Sequence, residues 1–239
     1  MAVTFGLLII GAYLLGSVPM AYIVARLSRN VDLRQYGSGS VSTTNVARLT
    51  SKWVAVPVGT FDFAKGMVMV WEAQLVGLGI AQQVTVGLAA IIGHNWPVFL
   101  RFRGGRGVLT TLGVAFILPL INGLVPWGVV VFLTITAIGL FIGHNLPVGV
   151  GAGITALPLV SWGVDEPLPL TLGFLVMFLV MVIRRLAVPR AAIAASLSTR
   201  QLLLNRLLFD RDIRDREAWI YRASGEASFN QKPGKQGRG

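Results

Sequence analysis

Seven apolar runs, each close to the length that crosses a bilayer, leave this chain few ways to fold. A span needs about 20 largely apolar residues, because the hydrocarbon interior offers the backbone no partner and only a helical ladder satisfies it within one segment. The runs fall at roughly 3–27, 53–78, 81–99, 107–122, 124–143, 147–163 and 167–183 of the 239 residues. Composition agrees, with 54% hydrophobic and only 13% charged residues against about 25% charged in a soluble domain. The expected fold class is all-α: a polytopic integral membrane protein with about seven transmembrane helices. The first cation is Arg26, so the first run lacks a basic lead-in and reads as a retained span and not a cleaved signal.

Charge then orients the bundle. Every lysine and arginine except Lys65 lies in an odd-numbered connection or in the tail, while the sixth connection carries Asp165 and Glu166. Positive residues collect on the cytoplasmic side, so the N-terminus is expected outside and the C-terminus in the cytoplasm of a multi-pass plasma-membrane (cell inner membrane) protein. The formal net charge of +11 sits at the ends of spans, which argues for membrane orientation and against a nucleic-acid partner. No cysteine occurs and only two histidines, His94 and His144. Disulfides and thiolate metal sites are excluded, and a histidine zinc site has little material.

Two loops expected on the same face carry chemistry. The first contains Gly37-Ser-Gly-Ser-Val-Ser-Thr-Thr-Asn45, followed by Arg48. Its hydroxyls and amide suit phosphate or sugar-like hydroxyls, and Arg48 adds charge. The second, Arg101-Phe-Arg-Gly-Gly-Arg-Gly107, offers Arg101, Arg103 and Arg106 beside Gly104, Gly105 and Gly107. Glycine lets backbone N–H groups turn toward one point, and arginine forks match phosphate oxygens bidentately. That combination is a pocket for an anionic head group at a membrane face. Within the second span, Asp62 and Lys65 stand i,i+3 on one helix face, as a paired set of ionisable groups facing the protein interior should. Ile92-Gly-His-Asn-Trp-Pro-Val98 recurs as Ile142-Gly-His-Asn-Leu-Pro-Val148. Of the two histidines, His94 has the better claim to a role, since it adjoins the basic loop.

These residues carry a resemblance. Gly16-Ser-Val-Pro-Met20, Asp32-Leu-Arg34, Gly37-Ser-Gly39, Thr44-Asn45 and Arg48 look like the first motif of the bacterial membrane acyl-phosphate:glycerol-3-phosphate acyltransferases. Asp62-Phe-Ala-Lys-Gly66 resembles that family's Asp-x-x-Lys-Gly, and Gly93-His94, Pro97-Val-Phe-Leu100 and Gly104-Gly-Arg-Gly-Val108 resemble its second motif. The resemblance implies a seven-helix, N-out fold and transfer of a fatty acyl group from acyl phosphate to the 1-hydroxyl of glycerol 3-phosphate. Lysophosphatidic acid and phosphate would be released, as a step of phospholipid biosynthesis. It implies Ser38, Arg48 and Arg106 as catalytic residues. Gly37, Gly39, Thr44, Asn45, His94, Arg101, Arg103, Gly104, Gly105, Gly107 and Asn205 would bind substrate, with Asp62 and Lys65 as a supporting ion pair. The partners are acyl phosphate, glycerol 3-phosphate and membrane lipids; no metal or other cofactor is required, and the oligomeric state stays open.

The chain also departs from that pattern. Ser40 and Ser42 replace an Asn and a Gly of the first motif, and Arg106 stands where Lys is usual. The third motif, Arg-His followed by Asn, is matched only by Arg200-Gln201 and Asn205, one residue out of step. A divergent member with lost or altered activity is therefore one alternative. A transporter of a phosphorylated solute is another, since the His94/His144 repeat is of the kind transporters carry. Residues 1–195 are expected to form the transmembrane acyltransferase domain. Residues 196–222, alternating Leu202, Leu203, Leu207 and Leu208 with Arg200, Arg206 and Arg211, are expected as an amphipathic helix on the inner leaflet. The polar end 223–239 is expected to be disordered.

Overall fold

The computed structural model describes residues 1–36 and 39–221, whose regular elements are all helices. Gly37, Ser38 and the segment 222–239, with the disorder expected there, lie outside the described residues.

The first apolar run is one candidate span built of two helices, α1 (Ala2–Ser17) and α2 (Met20–Arg29). Pro19 explains the break, since it brings no N–H and pushes the residue before it out of helical conformation; Val18 is accordingly extended, with ψ 113°. The Val18 carbonyl freed by the break accepts from the Met20 N–H at 3.1 Å and from Lys65 Nζ at 3.4 Å. A short α3 (Thr43–Leu49) follows, capped by the Ser42 hydroxyl. The long α4 (Lys52–Leu75) is capped by the Ser51 hydroxyl and carries Pro57 in its second turn, a position at which proline removes one i→i−4 bond.

Then come α5 (Ile80–Asn95), α6 (Val108–Ile121), α7 (Trp127–Phe141), α8 (Leu146–Gly163) and α9 (Leu168–Leu186). Among the described residues, four segments are long and apolar enough to cross a membrane: the 28 residues of α1 and α2 together, α4, α8 and α9. Two further apolar helices, α6 and α7, are shorter.

Small residues let backbones approach, the usual way helices associate in lipid. A Cβ on Gly16 or Gly93 would strike the facing carbonyls of Ala90 and Tyr13, which locks α1 against α5. The core is filled by Val70, Ile91, Val114, Leu118, Leu157, Phe174 and Met177, drawn from α4, α5, α6, α8 and α9.

The two copies of the repeated heptad do not fold alike. His94 is packed inside α5, whereas His144 lies exposed in the turn before α8 with φ 48°. The tail differs from the expected single helix as well. It forms α10 (Thr199–Phe209) and α11 (Arg216–Tyr221), separated where Asp210 turns left-handed at φ 54°. The α10 segment is bonded to the bundle: Arg185 donates to the Leu207 carbonyl at 2.6 Å, and Arg206 donates to that of Leu186 at 2.7 Å.

Candidate active site

The first loop is gathered by one amide. Fully buried Asn45, in the first turn of α3, donates from Nδ2 to the carbonyls of Leu33 (3.2 Å), Tyr36 (3.1 Å) and Ser40 (3.1 Å). Buried backbone carbonyls demand partners, so Asn45 shapes this loop. Asp32 and Arg34 close its entry at 2.6 Å, with the guanidinium 5.2 Å from the Tyr22 ring. Gly39 takes φ 72°, and Thr44 is exposed beside the Ser42 hydroxyl at 3.2 Å. Arg48 emerges from the last turn of α3; burial and the neighbouring Arg216 and Arg211 hold its pKa below the ordinary arginine value.

The second loop lies directly on the end of α5. After the turn Val98–Leu100, Arg101 and Phe102 are left-handed, at φ 52° and 62°. The Gly105 N–H then donates to the His94 carbonyl at 3.2 Å. A side chain at Gly105 would collide with the His94 ring and with the Val41 carbonyl of the first loop. One at Gly104 would strike Pro97 and the His94 carbonyl, and Gly107, at φ 72°, would strike Asn95. The glycines are thus required by close approach. Asn95 is a fully buried polar floor, with neither amide atom hydrogen-bonded among the described residues. At Gly107 the chain enters α6, whose first-turn N–H groups have no partner within the helix and favour an anion.

Beneath the loop sits a buried ionic group. Asp62 and Lys65 pair at 2.8 Å, and Asp62 Oδ1 lies 3.6 Å from His94 Nδ1. Thr110, from α6, donates to the Asp62 carbonyl at 2.9 Å. The buried Ser17 hydroxyl, Val41, Asp62, Lys65, His94 and Gly105 share the lining of one small cavity. Outside it, Arg101 and Arg103 form with Asp32, Arg34 and Gln35 an open cationic groove of about 410 Å³. The two loops therefore meet twice, at Val41 against Gly105 and across this groove.

Three contributions come from positions that the sequence motifs do not mark. Arg184, buried at the end of α9, donates from Nε to the Gly105 carbonyl and from a terminal nitrogen to that of Gly104, both at 2.9 Å, and lies 5.8 Å from the Trp96 ring. Asp210 pairs with Arg106 Nε at 2.7 Å. Arg211 and Arg216 come within electrostatic reach of Arg48. In the sequence these arginines read only as markers of topology or of a polar helix face, although two cations closing an apolar run are also what a buried clamp looks like. The Asn205 amide donates to the Asp212 carbonyl at 2.9 Å within the tail.

The glycerol-3-phosphate acyltransferase family model matches residues 6–194. This chain belongs to that family. Glycerol-3-phosphate acyltransferase 5 of Dehalococcoides mccartyi (strain ATCC BAA-2266 / KCTC 15142 / 195) is 42% identical over 95% of the chain and 97% of the relative. Glycerol-3-phosphate acyltransferase 4 of Dehalococcoides mccartyi (strain CBDB1) is 40% identical over 93% and 95%. A crystal structure of an integral membrane glycerol 3-phosphate acyltransferase, in its glycerol 3-phosphate form, superposes with TM-score 0.69 at 31% identity, covering 76% of this chain and 88% of that one. Its lysophosphatidic acid form gives TM-score 0.68 at 26% identity, over 91% and 99%. The acyltransferase is an all-helical integral membrane protein, as its apolar helices and these relatives agree.

Proposed function

We propose that the protein transfers a fatty acyl group from acyl phosphate to the 1-hydroxyl of glycerol 3-phosphate. The hydroxyl oxygen attacks the acyl carbonyl carbon, the bond from that carbon to the phosphate oxygen breaks, and the hydroxyl proton ends on the released phosphate. The products are lysophosphatidic acid and hydrogen phosphate. The observation that carries this reading is the contact of the two loops at Val41 and Gly105, which gathers two sets of phosphate-suited groups into one place on an apolar helix bundle. Both substrates bear a phosphate and one bears a lipid tail, so a cationic site open to the bilayer fits both.

In this reading the α6 N-terminus and the Gly104–Gly107 loop take one phosphate, with Arg106 completing the grip. Arg48, Thr44 and Ser38 hold glycerol phosphate, while Arg101 and Arg103 attract anions to the mouth. Most of the rate enhancement comes from holding the hydroxyl near the acyl carbonyl and from neutralising the charge that grows on the departing phosphate. The chain crosses the membrane seven times, counting α1 and α2 as one span and adding α4 to α9, with the N-terminus outside and the site at the cytoplasmic face. Basic residues at one set of helix ends support that orientation.

Donor choice separates this reading from its neighbours. Detergent-purified protein given glycerol 3-phosphate should form lysophosphatidic acid from palmitoyl phosphate and not from palmitoyl-CoA. Efficient use of the thioester would reassign the donor. Uptake of glycerol 3-phosphate into protein-containing liposomes with no acylated product would mark a transporter.

A further inference from the structure

The tail supplies a residue to the phosphate site from beyond residue 194, where the family match ends. Asp210 lies 104 positions from Arg106, yet its carboxylate engages Arg106 Nε at 2.7 and 3.0 Å. Arginine has a fixed planar fork, so a partner on the Nε edge fixes the plane and leaves the terminal nitrogens free for a second oxyanion. A lysine carries its three donors on one rotating nitrogen and fixes no such plane.

The tail also has anchors other than Asp210. Arg206 pairs with Asp212 at 2.7 Å and donates to the Leu186 carbonyl, the Ala191 N–H donates to Asp212 at 2.7 Å, and Arg185 grips the Leu207 carbonyl. With those anchors bonded elsewhere, the Asp210 carboxylate is left to face the loop. Its left-handed backbone, φ 54°, is one that Asp and Asn both tolerate, so an amide can replace the acid without moving the chain.

We propose that Asp210 is a positioning residue: it holds the Arg106 guanidinium so that its terminal nitrogens face the substrate phosphate. The proposal rests on the phosphate-gripping role given above to the Gly104–Gly107 loop. On substrate binding, Asp210 keeps the Nε edge while phosphate takes the other, so the tail completes the site. Arg184, Arg185 and Arg211 lie within electrostatic reach of Asp210 and offset the anion that it brings.

The test uses full-length protein in detergent, with Asp210→Asn, Arg106→Lys and the double variant. Asp210→Asn should raise the KM for one phosphate substrate about tenfold, leave the melting temperature in place and recover with Asp210→Glu. In the Arg106→Lys background the same change should alter KM by less than about twofold, because the fork that Asp210 orients is gone. A second readout needs no turnover: inorganic phosphate should raise the melting temperature of the wild type more than that of Asp210→Asn. That shift persists if the protein proves inactive, so failure of the acyltransferase reading and failure of the positioning role give different results. An unchanged KM, an effect of equal size in the Arg106→Lys background, or equal stabilisation by phosphate would overturn the proposal. A lowered KM would overturn it too, making Asp210 a competitor of phosphate.

Discussion

Arg184 joins α9 to the candidate site, since one guanidinium fork fixes the carbonyls of a glycine pair that has no room for a side chain. Gly105→Ala should therefore displace the loop from His94 and Val41 and cut turnover at least about 100-fold, the scale of losing an oriented anion donor, while the protein still inserts. Arg184→Lys keeps the charge but loses the fork, and initial rates should fall at least about tenfold. The Asp32–Arg34 pair behaves differently. The Arg34 guanidinium lowers the Asp32 pKa below its ordinary 3.8, so the pair's contribution is present above that value and disappears as pH falls through the lower folded value. Asp32→Asn should then change the melting temperature by the same small amount from pH 5 to 8, with the difference vanishing in stronger acid. At this scale the glycine-arginine loop and the Asp62–Lys65 pair were legible, because glycines interleaved with cations suit an anion and charges inside a span must be paired. Arg184 was not, since a cation ending an apolar helix reads first as a topology marker.

Helices followed the apolar runs closely, and the departures occur where backbone chemistry intervenes. Pro19 splits the first run, and the freed Val18 carbonyl is met by Lys65 from α4, so the break and the buried ion pair are one construction. Lys65→Met should leave that carbonyl and Asp62 without their cation, and the loss of a paired buried charge predicts a clear fall in melting temperature, about 3 kcal/mol or more of stability. The tail, expected as one amphipathic helix, breaks at Asp210 because its polar residues bond to the bundle. Arg206 spans Asp212 and the Leu186 carbonyl, a tertiary preference that local alternation of leucine and arginine cannot reveal. Ending the chain after Ala195 should leave the bundle inserted but lower its melting temperature and its turnover together.

For the whole molecule, charge segregation yields a topology that the absence of cysteine makes simple to test. Single cysteines at Ser28 and Val164, both exposed, should react with a membrane-impermeant maleimide on opposite sides. Val164→Cys should label in intact cells, and Ser28→Cys only after permeabilisation. Labelling of both from one side would break the seven-span arrangement. The general architecture was readable because apolar length and the placement of cations act at long range along the chain. The joining of residues 41, 105, 184 and 210 into one site depends on packing that no local pattern encodes.

The proposed reaction requires two loops to act jointly on two phosphorylated substrates. The most direct measurement is phosphate release from palmitoyl phosphate by the purified protein, with and without glycerol 3-phosphate, in the wild type and in Arg48→Ala and Arg106→Ala. Release that requires glycerol 3-phosphate, and that drops at least about 100-fold in either variant, is the predicted result. Release independent of glycerol 3-phosphate, or undiminished in both variants, would contradict it.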